Sequence, residues 1–276
     1  MTKPHNEAEA VQEQYRTSAN LDARIRLHVE FSTNPYRWPR WVFDQLDLPA
    51  TAHLLEIGCG PASLWVENSD RIPTGWQIML TDQSAGMLAQ AQANLASVDH
   101  AFRFEQVDAQ AIPLADATFD AVIANHMLYH VPDLPQALRE IRRVLRPGGR
   151  LYAATNGQHH LVELRTLIRE FDPALDYRAA VTPDRYFSLE NGEAHLAAAF
   201  EQIALRRYVD GLVVTDVDAL VDYIFSMMTF TTAQYGNEAA ARAAFTTYAT
   251  DRMAQQGGSL AIQKETGIFI ATKATG

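Results

Sequence analysis

Three carboxylates and a glycine turn carry the first chemistry legible in this chain. The segment Glu56-Ile57-Gly58-Cys59-Gly60-Pro61-Ala62 ends an apolar run in an acid and then a G-x-G turn. Glycine there lets the backbone approach a ligand with no Cβ in the way. Ser63 stands where a dinucleotide-binding fingerprint has its third glycine. A carboxylate at Glu56 repels pyrophosphate and suits a cationic or amine-bearing group. Asp82 closes the run Met79-Leu80-Thr81. An acid ending a second strand sits beside such a turn and can accept both hydroxyls of a ribose. Its plainer role is to help start the helix near Ser84, and the two are compatible. Asp108 closes a third run, Val107-Asp108-Ala109. All three acids thus fall on the carboxyl edge, where open α/β sheets bind ligands.

A second group follows Asn125, which ends a fourth run. His126 and His130 flank Tyr129, and four residues apart on a helix they share one face. Near the reacting end of a site, either suits a general base. The plainer reading has His130 capping the turn Val131-Pro132-Asp133 and Tyr129 packing in the core. A third ligand is missing from this pair, so no metal is expected. His159-His160 reads more simply as a solvated helix start than as a base. The single cysteine, Cys59, excludes an internal disulfide framework and a thiolate zinc cluster. Within the turn it reads as a small apolar filler.

These residues need elements to hold them. His53–Ile57, Gln77–Thr81, Phe102–Val107, Phe119–Ala124 and Arg150–Ala154 are strand-length apolar runs, with helix-period segments at Ser84–Leu95 and Leu134–Leu145. Pro147-Gly148-Gly149 makes a sharp stop after the second helix. The alternation predicts a doubly wound, mostly parallel α/β sheet with helices on both faces. Residues 1–50 read as an N-terminal helical lid, 51–156 as the α/β core, and 157–276 as a helical insertion plus late strands at Ile203–Val209 and Ile262–Thr272. Together they form one integrated domain. The chain of 276 residues is 47% hydrophobic, enough for a full-sized core. No run approaches the roughly 20 apolar residues of a membrane span, and the opening residues lack a secretory pattern. A soluble cytoplasmic protein is the expectation. The net charge of −10 argues against nucleic acid as a partner and favours neutral or amine-bearing small molecules over polyanions. No pattern fixes an oligomeric state.

Taken together, LLEIGCGPASLW, the acid Asp82, VDAQAIPLADATFDAVIANHMLYHVPD and LREIRRVLRPGGRLYAAT resemble the successive motifs of class I S-adenosylmethionine-dependent methyltransferases. The group acting on small molecules is the nearest variety. The resemblance implies a seven-stranded sheet whose last strand is antiparallel, with S-adenosylmethionine as cofactor and a small-molecule acceptor. It places Gly58 and Gly60, with Cys59 between them, along the methionine portion and Glu56 near its ammonium end. Asp82 would hold the ribose hydroxyls, and Gln83 and Met87 would flank the adenine. Asp108 would accept from the exocyclic amine, with the Ala109 amide near a ring nitrogen. Asn125 would face the methionine portion beside His126. Pro61 departs from relatives that carry a third glycine, a change well tolerated in a first helical turn.

Segments outside these motifs are expected to choose the acceptor. Tyr15, Phe31, Trp38, Tyr129, Tyr223 and Phe225 are aromatic candidates for its pocket, with Tyr15 closing onto the cofactor. Leu220–Met228 offers apolar walls, although an ordinary buried helix has the same pattern. Two other classes stay open. An NAD(P)-dependent oxidoreductase shares the ribose acid, but Ser63, Glu56 and Asp108 count against it. A cofactor-binding relative without catalysis would keep the same motifs.

Overall fold

The computed structural model describes residues 18–173, 187–227 and 238–275. Strand β1 (His53–Ile57) is buried on both faces, as a parallel strand covered on both sides must be. Leu54 packs with Trp65, Ile78, Leu80 and Tyr152 on one face of the sheet. Leu55 and Ile57 pack with Val122, Leu138, Ile141 and Phe269 on the other. Parallel to β1 run β2 (Gln77–Asp82), β3 (Phe102–Gln106), β4 (Phe119–Asn125) and β5 (Leu145–Asn156), in the order β3-β2-β1-β4-β5. The order reverses between β1 and β4, which opens a crevice at their carboxyl ends. Later come β6 (Glu201–Tyr208), β7 (Gly211–Val214), β8 (Leu260–Gln263) and β9 (Thr266–Thr272). β9 inserts antiparallel between β5 and β6, completing the expected seven-stranded sheet.

Local chemistry sets the helix ends. Helices α1 (Ser18–Phe31) and α2 (Trp38–Asp44) precede the sheet, and α3 (Ser63–Val66) follows the glycine turn. Helix α4 (Ala85–Leu95) starts at Ser84, whose hydroxyl accepts the Met87 N–H at 3.3 Å. Helix α5 (Leu134–Val144) starts at Asp133, which accepts the Gln136 N–H at 2.9 Å. Its buried stripe of Leu134, Ala137, Leu138, Ile141 and Val144 has the helical period.

The insertion is less uniform than its composition suggests. Helices α6 (Val162–Phe171) and α7 (Gly192–Ala197) precede β6, whereas α8 (Val217–Met227) and α9 (Glu238–Gln255) follow β7. The stretch 262–272 is two strands, not one. β8 pairs with β7 in a separate two-stranded sheet, and β9 enters the main sheet after Lys264-Glu265. The Lys264 ammonium pairs there with the buried Asp210 carboxylate, which fixes the crossover. A third apolar cluster joins Leu27 of α1 to Leu164, Leu212, Leu220, Ile224, Phe245 and Leu260. The N-terminal helix and the insertion therefore form one layer.

Candidate active site

A cavity of about 1080 Å³ lies between the carboxyl edge of the sheet and this helical layer. Glu56, Gly58, Cys59, Gly60, Asp82, Gln83, Met87, Asp108, Ala109, Asn125, His126 and His130 all line it. Tyr15 lies outside the described residues.

The glycine turn is built from left-handed backbone: φ is +64° at Gly58, +54° at Gly60 and +61° at Ala62. The two glycines serve different ends. A Cβ on Gly58 would stand 2.8 Å from Met127 Cβ, so that glycine is required by packing. A Cβ on Gly60 would meet no protein atom within 4 Å. The space it would occupy belongs to the cavity.

Asp82 closes the turn from the next strand. One carboxylate oxygen accepts the Gly60 N–H at 3.0 Å and the other accepts the Ser84 N–H at 2.8 Å. Each oxygen keeps a second lone pair for an incoming hydroxyl. Burial raises the Asp82 pKa, and the N–H donors of Ser84 and Gly60 oppose that. Asp108 accepts the Gln110 N–H at 2.9 Å and its side-chain amide at 3.1 Å.

Glu56 is buried on the Leu54 side of β1. Its carboxyl accepts the Trp65 indole N–H at 2.6 Å and the Asn125 amide at 3.5 Å. Burial pushes its pKa up to about 8. It is therefore largely protonated at neutral pH, beside an Asn125 Oδ1 that is buried without a partner. Both atoms suit a cationic donor, so the site fits an ammonium group. A cation arriving there stabilises the carboxylate and lowers its pKa. Binding of an ammonium-bearing ligand at pH 7 is thus expected to release up to one proton. Calorimetry in buffers of different ionisation enthalpy measures it, and Glu56→Gln should abolish the release.

The far end of the cavity differs from expectation. His126 and His130 do not share a helix face. His126 has φ +53°, which breaks the register, and only Leu128–His130 forms a 3-10 turn. The His126 ring packs 5.2 Å from Trp38 and 6.4 Å from Tyr129, and burial lowers its pKa to about 4. Of the aromatic candidates, Trp38, Tyr129 and Tyr223 line the cavity. Phe31 and Phe225 pack instead against the helical layer's core. Met228 is outside the described residues.

Three contributors escaped the sequence reading: His28, His160 and Lys264, all lining the cavity. His160 was expected at a solvated helix start. Leu161 adopts φ +56° instead, and the Glu265 N–H donates to His160 Nδ1 at 3.2 Å, which fixes the ring in the site. His28 belongs to a helical stripe, Ile25-His28-Val29-Ser32, that borders the cavity. That i, i+3, i+4, i+7 spacing was the available signal. Its ring stacks on His160 at 6.2 Å and meets Tyr223 edge-on at 5.7 Å.

Burial, and then the Lys264 charge, lowers the His28 pKa to about 3; burial and the neighbouring rings lower that of His160 as well. Unfolded, these histidines titrate near 6.5. Below that pH the unfolded chain binds more protons than the native one. Stability is expected to be full above pH 6.5 and to fall progressively as pH drops towards 4. Urea midpoints across this range check it, and the fall should be shallower in His28→Gln.

Residues 55–153 match the family described as methyltransferase domain. The match falls on the α/β core and covers well under half of the chain. Among curated relatives of this domain, the ubiquinone/menaquinone biosynthesis C-methyltransferase of Hahella chejuensis is 37% identical over 118 residues, covering 41% of this chain and 47% of that protein. The 27-O-demethylrifamycin SV methyltransferase of Amycolatopsis mediterranei is 41% identical over 110 residues, covering 38% and 39%. The chain thus spans about half or less of the length of these relatives. In fold, the α/β core with its helical layer is similar to the [4+2]-cyclase SpnF, with a TM-score of 0.61 at 19% identity over 100% of both chains.

Proposed function

We propose that this protein transfers a methyl group from S-adenosylmethionine to a small organic acceptor bound in the same cavity. The observation that carries the reading is the convergence of Glu56, Asp82, Asp108 and the Gly58–Gly60 turn on one end of one cavity. When bound, the cofactor supplies a methyl group already activated on a sulfonium. Glu56 and Asn125 would receive its ammonium end, Asp82 its ribose, and Asp108, Ala109, Gln83 and Met87 its adenine. The chain's own work is then to align the acceptor and exclude water, and positioning of that kind can supply about 7–11 kcal/mol. The helical layer closes over the sheet edge to do so. No helix among the described residues is long and apolar enough to cross a membrane. Acceptor choice belongs to the residues that layer contributes, Tyr223 and His28 among them.

Calorimetry with S-adenosylmethionine, S-adenosylhomocysteine and NADH tests the cofactor. The first two should bind with unit stoichiometry and the third should not. Mass spectrometry of a metabolite extract incubated with isotopically labelled cofactor then identifies the acceptor. Binding of NADH in place of the sulfonium cofactor would overturn the reading.

A further inference from the structure

The two ends of the cavity have opposite polarity. Around the glycine turn stand three acids, whereas the far end is made of imidazoles next to a lysine. The protonation pattern of those rings follows from their partners. His160 Nδ1 receives the Glu265 N–H at 3.2 Å and lies 3.4 Å from the Thr266 hydroxyl. A ring nitrogen that accepts from a backbone amide carries no proton, so the proton of the neutral ring is on Nε2. His28 Nδ1 is buried with no partner. A buried bare acceptor is tolerated more readily than a buried N–H without an acceptor, so this ring too carries its proton on Nε2. Both rings therefore offer an N–H to the cavity, and neither offers a base. Their centroids are 6.2 Å apart, too far for one oxygen to accept two hydrogen bonds of about 2.9 Å but within reach of the two oxygens of one carboxylate, each accepting one.

Charge points the same way. Lys264 borders this end. Its partner Asp210 is fully buried and already accepts from the Ser32 hydroxyl at 2.6 Å, the Asn34 N–H at 3.0 Å and the Gly211 N–H at 2.8 Å. That carboxylate has its donors, and a cation entering the cavity would meet N–H groups and an ammonium instead.

We propose that this end of the cavity is an oxyanion site in which His28 and His160 donate to the two oxygens of a carboxylate on the acceptor, in the field of Lys264. That the bound anion is the methyl acceptor rests on the methyl-transfer reading above; the donor site itself does not. An acceptor that arrives ionised has no proton left to surrender, so the site needs donors and no general base. The expectation from net charge, an amine or neutral acceptor, is thereby reversed. The whole-chain balance is acidic, but this end of the cavity is not.

Long-range proton–nitrogen NMR of the ¹⁵N-histidine-labelled full chain, with benzoate and benzylamine as probes of like shape and opposite charge, tests the site. Both rings should be Nε2–H tautomers at pH 7. Benzoate should move both sets of resonances, and protonated benzylamine should move neither. His160→Leu should weaken benzoate at least tenfold, whereas His160→Gln, which keeps a donor, should retain most of the affinity. An Nδ1–H tautomer at either ring, unmoved resonances with benzoate, or equal binding of benzylamine would overturn the proposal, and these wild-type readouts need no variant. Calorimetry with S-adenosylmethionine on the same samples separates the two readings. Loss of cofactor binding with benzoate binding intact would overturn methyl transfer and leave the anion site standing.

Discussion

Gly60→Ala is expected to cut affinity for S-adenosylmethionine at least tenfold while lowering folding stability by only about 1–2 kcal/mol, the cost of a left-handed residue with a Cβ. The stability cost is small because no protein atom lies within 4 Å of the new methyl group, and Ala62 already adopts the same conformation two residues later. The affinity cost is large because the methyl group occupies open space at a residue that lines the cavity. Gly58→Ala is expected to behave in the opposite sense. Its Cβ would stand 2.8 Å from Met127 Cβ, so the loss should register first as a lower melting temperature. Calorimetry and thermal unfolding on both variants separate the effects. Equal affinity in wild type and Gly60→Ala would remove the turn from the cofactor site.

Asp82→Asn is expected to weaken the same ligand by about ten- to a hundredfold. A carboxylate accepting two ribose hydroxyls makes charge-assisted bonds of about 1.5–3 kcal/mol each, and each 1.4 kcal/mol is a factor of ten. The amide loses the charge and turns an NH₂ group towards either the Gly60 or the Ser84 N–H, both of which now donate to Asp82. Part of the loss therefore arises from a loosened glycine turn. Competition with adenosine and 2′-deoxyadenosine distinguishes the parts. If Asp82 holds the ribose, wild type should discriminate strongly between the two nucleosides and Asp82→Asn should not. Undiminished discrimination in the variant would refute the ribose role.

Particular residues show how far local pattern reaches. Ser84 was recognisable as a helix start because capping is decided within three residues of the cap, and Asp133, read only as part of a turn, caps its helix by the same rule. Glu56 was recognisable as site-facing because a strand has a period of two and a glycine turn must follow it. Its neutral state was not, because it depends on how deeply the whole fold buries the carboxyl, with the Trp65 and Asn125 hydrogen bonds opposing that effect. The pairing of His126 with His130 failed for a related reason. The helical spacing is present in the chain, but the left-handed backbone at His126 answers to packing on Trp38 and β5, whose Ala154 carbonyl accepts the His126 N–H at 3.1 Å. The strand expected over 262–272 failed because the polar break Gln263–Thr266 is short enough to read as the exposed part of one strand, and only the buried Asp210 partner shows that the chain changes sheets there.

The sequence by itself determined the parallel sheet, the glycine turn and the three acids at its carboxyl edge. Each of these follows from short-range rules: strand period, turn conformation, and the direction in which parallel strands must end. Only the tertiary structure decided what faces them. His28 and His160 come from α1 and from the loop after β5, and Lys264 from the crossover before β9. Nothing within a few residues of any of them specifies the others. Their meeting, the neutrality of the two imidazoles and the nitrogen on which each ring proton sits depend on which surfaces of remote segments bury one another. A hydrophobic core dictates that outcome collectively, and no local stretch of the chain encodes it.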